Sequence, residues 1–140
     1  MSSAMGLLID TSVIIKLERE GPSEDFNPIF DRDQVAISVI TVSELLAGVH
    51  QARPGQGDAA VYRASFVEEM LDRFEPLPIT PRIARIHADI SSFLRGSGRS
   101  IGRHDEWIAA TAMAHGATIV TLNRKDFEQV PAVKVVSPDD

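Results

Sequence analysis

Four carboxylates stand where charge in this chain has consequences: Asp10 at the end of an apolar run, Glu44 and Asp105 at helix starts, and Asp126 close to Asn123. Gathered at one edge of a fold, they would repel one another unless a cation sat among them, and hard oxygen donors of this kind suit Mg²⁺ or Mn²⁺. A site that keeps metal-bound water can lower the pKa of a nucleophilic water and stabilise charge on a phosphoryl oxygen. Each acid also has a plainer reading. Glu44 and Asp105 favour helix N-termini through the macrodipole, and Asp126 with Asn123 reads as turn chemistry. Asp10 differs, because a charge that ends a buried strand needs a partner or a task. Spacing alone leaves both readings open.

The elements that must position these acids follow from periodicity. Gly6 to Ile9 reads as a short buried strand, and Asp10, Thr11 or Ser12 caps a following helix that carries Val13, Ile14 and Leu17 and closes at Gly21-Pro22. Ser23 to Asp33 is polar and acidic, with a short helix around Phe26 to Phe30. Val35 to Ile40 is β-branched and reads as a second strand; Thr41 is the capping candidate for the next helix, with Glu44 at the capping-box position in its first turn. That helix carries Val42, Leu45, Leu46 and Val49 and ends before Pro54-Gly55. Ala59 to Phe74 has helical spacing, Leu77-Pro78-Ile79 is a proline-bounded strand, and Pro81 sits in the first turn of a helix over 82–94. After a Gly- and Ser-rich loop over 96–102, Asp105 opens an alanine-rich helix over 107–115 that Gly116 stops. Ala117 to Leu122 is a further strand, and Val133 to Val136 a last edge strand. Strands alternating with helices predict an α/β fold, a three-layer sandwich with a mainly parallel central sheet and helices on both faces. In such a sheet, chemistry sits beyond the carboxyl ends of the strands, where all four acids fall.

Composition bounds the rest. With 140 residues, 44% hydrophobic and 24% charged, the chain suits one globular domain, read as 5–137 with residues 1–4 as an extension outside it. No cysteine is present, which excludes disulfides, thiolate zinc sites and a cysteine nucleophile. No apolar run approaches a membrane span, and the start lacks the pattern of a secretory signal, so the expectation is a cytoplasmic protein with no membrane role. The 14 basic against 20 acidic residues give a net charge of −6, which argues against holding nucleic acid by bulk positive charge but not against nucleic acid as a substrate. Setting the four acids aside brings that balance close to neutral.

Four blocks in order, Leu7-Leu8-Ile9-Asp10-Thr11-Ser12, Thr41-Val42-Ser43-Glu44-Leu45-Leu46-Ala47-Gly48, Asp105 before Trp107-Ile108-Ala109-Ala110-Thr111-Ala112, and Thr121-Leu122-Asn123-Arg124-Lys125-Asp126-Phe127, together resemble PIN-domain ribonucleases. More narrowly they resemble the VapC toxins of bacterial and archaeal toxin–antitoxin pairs. The resemblance implies a PIN-like fold, Mg²⁺- or Mn²⁺-dependent endoribonuclease activity, a homodimer, and inhibition by a VapB-type antitoxin. By position, Asp10, Glu44 and Asp105 match the family's three principal acids, and Asp126 matches a fourth whose role in metal binding varies. Thr11 or Ser12, and Thr121 or Asn123, match polar residues that orient acids, water or metal. His104 departs from the small polar residue common before the third acid, and with Glu106 after it offers a further ligand or a contact to one.

Arg95, Arg99 and Arg103 form the most basic stretch of an acidic chain and are candidates for contact with the RNA backbone, helped by Lys16, Arg124 and Lys125; the plain alternative is a solvated loop. Trp107, the only tryptophan, reads as a packing or dimer residue rather than a base-stacking one. The four histidines lack zinc-ligand spacing. The helical apolar positions between Ala59 and Phe74 read most simply as core, with insertion of an antitoxin helix against part of that face as the alternative. Two alternatives stand beside an RNA-cleaving toxin: a PIN-like regulatory module without catalysis, and a metal-dependent nuclease or phosphatase acting on another phosphate ester.

Overall fold

A computed structural model describes residues 6–20, 34–51 and 57–138. The expected short helix around Phe26–Phe30, the Pro54-Gly55 stop and residues 1–4 lie outside the described residues. Within them the chain runs β1 (Leu7–Ile9), α1 (Thr11–Glu20), β2 (Val35–Ser38), α2 (Val39–Gln51), α3 (Asp58–Arg73), β3 (Pro76–Leu77), α4 (Pro81–Gly96), α5 (Arg103–His115), β4 (Thr118–Val120), α6 (Arg124–Phe127) and β5 (Lys134–Val136). The five strands form one sheet in the order β3-β2-β1-β4-β5, and every pairing is parallel.

Alternation along the strands divides the core in two. Ile9, Ile37 and Val120 face α1, α2 and α3, where they meet Val13, Ile14, Leu45, Phe66, Val67 and Met70. Leu8 and Ile119 face the other way, onto Ile83, Ile90 and Leu94 of α4, Ile108 to Ala110 and Ala112 of α5, and Phe127 of α6. Each of these large side chains contributes about 1.5–3 kcal/mol on leaving water. The sheet is therefore buried on both faces, which is why its strands read as short apolar runs rather than alternating ones. Ala109, Ala110 and Ala112 of α5 are buried and bring that helix close to the sheet.

Element ends depart from the sequence reading in instructive places. β2 stops at Ser38, not at Ile40, because the Ser38 hydroxyl accepts the Ile40 N–H at 3.0 Å and starts α2 three residues early. Thr41 is consequently a buried helical residue and not the cap, and Glu44 stands beyond the first turn of α2. β3 covers Pro76–Leu77 and not 77–79, since Pro78 has no N–H to extend the ladder. α4 runs longer than expected, from Pro81 to Gly96, capped by Thr80, whose Oγ1 accepts from the Ile83 N–H at 3.2 Å. α5 begins at Arg103, which puts Asp105 and Glu106 inside its first turn rather than ahead of the helix; Gly116, at φ 62°, ends it as expected. β4 is Thr118–Val120, shorter than the expected 117–122, and Asp126 lies within the one-turn α6.

The chain steps outward from β1 through β2 to β3, then crosses back to lay β4 on the other side of β1. The reversal opens a crevice beyond the carboxyl ends of β1 and β4, the place where open parallel sheets put their sites.

Candidate active site

Asp10 follows β1 directly and is 3% exposed. Its backbone N–H donates to Val120 O at 2.9 Å, so the β1–β4 ladder holds it in place. Two hydroxyls donate to Asp10 Oδ2, Thr121 Oγ1 at 2.7 Å from the end of β4 and Ser12 Oγ at 2.8 Å from the first turn of α1. Burial nevertheless pushes the Asp10 carboxyl above its usual range; these hydroxyls oppose the shift, and the nearby charge of Glu44 adds to it.

A second hydroxyl system holds Glu44. Thr11 Oγ1 donates to Glu44 Oε1 at 2.6 Å and lies 3.0 Å from the buried Thr41 Oγ1. The other carboxylate oxygen, Oε2, is 3.1 Å from His104 Nδ1. Thr41 and His104 thus complete the setting of Glu44. Sequence reasoning took Thr41 for a cap, and only the early start of α2 turns it toward Thr11; His104 had been singled out by its place beside Asp105.

Asp105, in the first turn of α5, closes the group. Burial first, then the charges of Asp10, Glu44 and Asp126, raise its carboxyl from 3.8 to about 6, while His104 pulls the other way. Asp105 is therefore near enough to feel the other three acids, although the four come from separate parts of the chain. Gly102, ahead of α5, leaves the carboxylate its room: a Cβ there would stand 3.3 Å from Asp105 Oδ2.

Of the polar residues expected to assist, Thr11, Ser12 and Thr121 all reach the acids. Asn123 takes part through its backbone, its N–H donating to Thr121 Oγ1 at 2.9 Å, while its side chain makes no capping bond on α6. Ser12 Oγ also accepts the Leu122 N–H at 3.2 Å, which ties the loop after β4 to the start of α1. Lys125 is exposed on α6, and Arg124 beside it lies 3.5 Å from Glu128. The three arginines Arg95, Arg99 and Arg103 line a groove on another side of α5.

Among the described residues, no three carboxylate or imidazole groups stand close enough to enclose an ion unaided. The donor set still fits a hard divalent cation that keeps part of its water shell, since Mg²⁺ is commonly held by one or two carboxylates with waters completing its coordination. The burial and the neighbouring charges that raise the Asp105 carboxyl are what such a cation would offset.

The PIN domain family model matches residues 7–133. Ribonuclease VapC of Rickettsia bellii is 35% identical over 133 residues, spanning 95% of this chain and 96% of that protein. Ribonuclease VapC4 of Mycobacterium tuberculosis is 36% identical over 135 residues, spanning 93% and 95%. Among solved structures, the DNA-bound VapBC from Salmonella typhimurium superposes with a TM-score of 0.82 at 27% identity, covering 96% of this chain and 99% of that one. With the three-layer parallel architecture and the acids where the family blocks put them, the chain belongs to the PIN-domain family, among its VapC members.

Proposed function

We propose that this protein is the ribonuclease toxin of a VapBC-type toxin–antitoxin pair, hydrolysing RNA phosphodiester bonds with the help of Mg²⁺ or Mn²⁺. The observation that carries the reading is the convergence of Asp10, Glu44, Asp105 and Asp126 at one sheet edge, with Asp105 lifted to about 6 by burial and by the other three. Relatives named as VapC ribonucleases and VapBC complexes of the same fold support it.

Asp10 and Asp105 are the carboxylates that would hold the cation, with Asp126 contributing through water. Once bound, it supplies a water of lowered pKa and neutralises charge on a phosphoryl oxygen. Glu44, held at Oε1 by Thr11, accepts the proton of the attacking water. Water adds to phosphorus in line with the 3′ oxygen, the P–O3′ bond breaks, and the leaving oxygen takes up a proton, giving 5′-phosphate and 3′-hydroxyl ends. Thr121 and Ser12 orient Asp10 and oppose the effect of its burial.

For the antitoxin, a groove between α1, α2 and α3 of about 110 Å³ is lined by Ile14, Ile15, Leu45, Phe66 and Val67 and opens onto Glu44. An amphipathic helix suits that apolar lining, and a basic residue beyond it would reach the acids. The decisive assay incubates the purified chain with single-stranded RNA, single-stranded DNA and a small phosphate ester, in Mg²⁺ and in chelator. Cleavage of RNA alone, lost with chelator and in Asp10→Asn, is expected; hydrolysis of DNA or the ester instead would reassign the substrate.

A further inference from the structure

A groove between α4 and the N-terminus of α5 is lined by residues other than the four carboxylates and has the opposite character. Arg95 from the last turn of α4, Arg99 from the following loop and Arg103 from the first turn of α5 line a space of about 540 Å³, together with Leu94, Ile101 and Trp107. All three arginines are exposed, and among the described residues none of their side chains is engaged in an ion pair or hydrogen bond. One acid, Glu106, shares the lining, and its Oε1 lies 3.2 Å from His87 Nε2.

The wall behind the arginines is built rather than incidental. His87 of α4 stacks on Trp107 of α5 with ring centroids 3.7 Å apart and planes within 5°. Thr111 Oγ1 donates to Trp107 O at 2.8 Å one turn further along. Three guanidinium forks lining one groove beside a stacked aromatic pair are groups that bind phosphates in bidentate fashion. Only one residue, His104, separates Arg103 from Asp105, so the groove and the carboxylates flank a single helix turn.

Resting on the ribonuclease reading above, we propose that the Arg95–Arg99–Arg103 groove is a second subsite that grips the phosphodiester backbone of single-stranded RNA next to the bond presented to the acids. It works without metal. Division of labour follows: the arginines supply affinity, and the carboxylates supply chemistry. An acidic chain can thereby hold a polyanion through one local patch despite its net charge of −6.

The test measures binding of a short single-stranded RNA oligonucleotide of mixed sequence in chelator, where no cleavage occurs, across about 50 to 200 mM salt. The wild-type chain is expected to bind with a marked salt dependence. Arg95→Ala/Arg99→Ala, whose side chains are exposed and whose fold is checked by thermal unfolding, is expected to bind at least about tenfold more weakly. Its log–log salt slope should fall by roughly 0.7 for each phosphate contact removed. Unchanged affinity and slope overturn the subsite, whether or not the chain cleaves RNA. So does a variant that loses self-association in sedimentation while keeping its RNA affinity, which would make the groove an interface between copies. A polyglutamate peptide of equal charge held as tightly as the RNA overturns it in favour of an acidic protein segment. Cleavage is read separately with Mg²⁺ present: a chain that binds through the arginines yet cuts nothing upholds the groove and fails only the ribonuclease reading.

Discussion

Thr121 Oγ1 donates to Asp10 Oδ2 at 2.7 Å across 111 positions of sequence, joining the end of β4 to the end of β1 at the centre of the site. The bond is the principal influence holding the buried Asp10 carboxyl down against desolvation. Thr121→Val keeps the shape of the side chain and removes the donor. A hydrogen bond to a charged group contributes ~1.5–3 kcal/mol, so cleavage at pH 7 should fall by roughly tenfold. The acid limb of the pH–rate profile should also move to higher pH, because Asp10 then ionises less readily. An unshifted limb with an unchanged rate would remove Thr121 from this role.

The raised carboxyl of Asp105 makes a stability prediction of definite sign. The folded chain binds this proton more tightly than the unfolded chain, so ionisation opposes folding: stability declines as pH rises from 3.8 to about 6, and the penalty is complete above that window. Asp105→Asn removes the charge. In chelator at pH 7 its melting temperature should exceed the wild type by about a few degrees, and the gain should vanish near pH 4. Thermal unfolding followed by circular dichroism across this range checks it; identical melting at pH 7 contradicts it.

Divalent metal should reverse that penalty. At a hundred times its dissociation constant, a ligand specific to the folded state adds ~2.7 kcal/mol, a rise of several degrees for a chain of this size. Mg²⁺ is expected to raise the wild-type melting temperature, chelator to cancel the rise, and Asp10→Asn and Asp105→Asn to lose it. Because proton and cation compete for Asp105, the acid limb of activity should move down as Mg²⁺ is increased.

Ser38 offers a test of how the fold sets Glu44. Ser38→Ala leaves the Ile40 N–H without its acceptor and should cost about 1 kcal/mol. Fraying of this turn also loosens Thr41 and Glu44 behind it, so cleavage should fall further than stability requires; urea unfolding set against rate, measured well below the midpoint, separates the two effects.

Much of this arrangement was legible beforehand. The alternation of apolar runs with helical spacing predicted the parallel sandwich, because it depends on local pattern, and the block order named acids that the fold carries to one end of the sheet. The misjudged features depend on partners distant in sequence. Thr41 looked like a cap because Ser38, an equally good one, lay inside a β-branched run; nothing local said which hydroxyl would be used. The stack of His87 on Trp107 and the meeting of Arg95 with Arg103 across one groove arise where α4 packs against α5, a relation no spacing encodes. Between Thr121 and Asn123, which the sequence left as alternatives, the fold gives the carboxylate to Thr121 and uses only the backbone of Asn123.

The placement of β1 between β2 and β4 has a consequence for the time at which the protein becomes active. Asp10 is among the first residues made on the ribosome, but its hydroxyl partner is Thr121 and its charge acts on Asp105. Neither exists until most of the chain has been synthesised, and pairing of such distant segments is slow relative to local helix formation. A nascent or prematurely terminated chain therefore lacks the complete acidic group, so the cell that makes this protein is exposed to its chemistry only after the last quarter of the chain has folded onto the first strand.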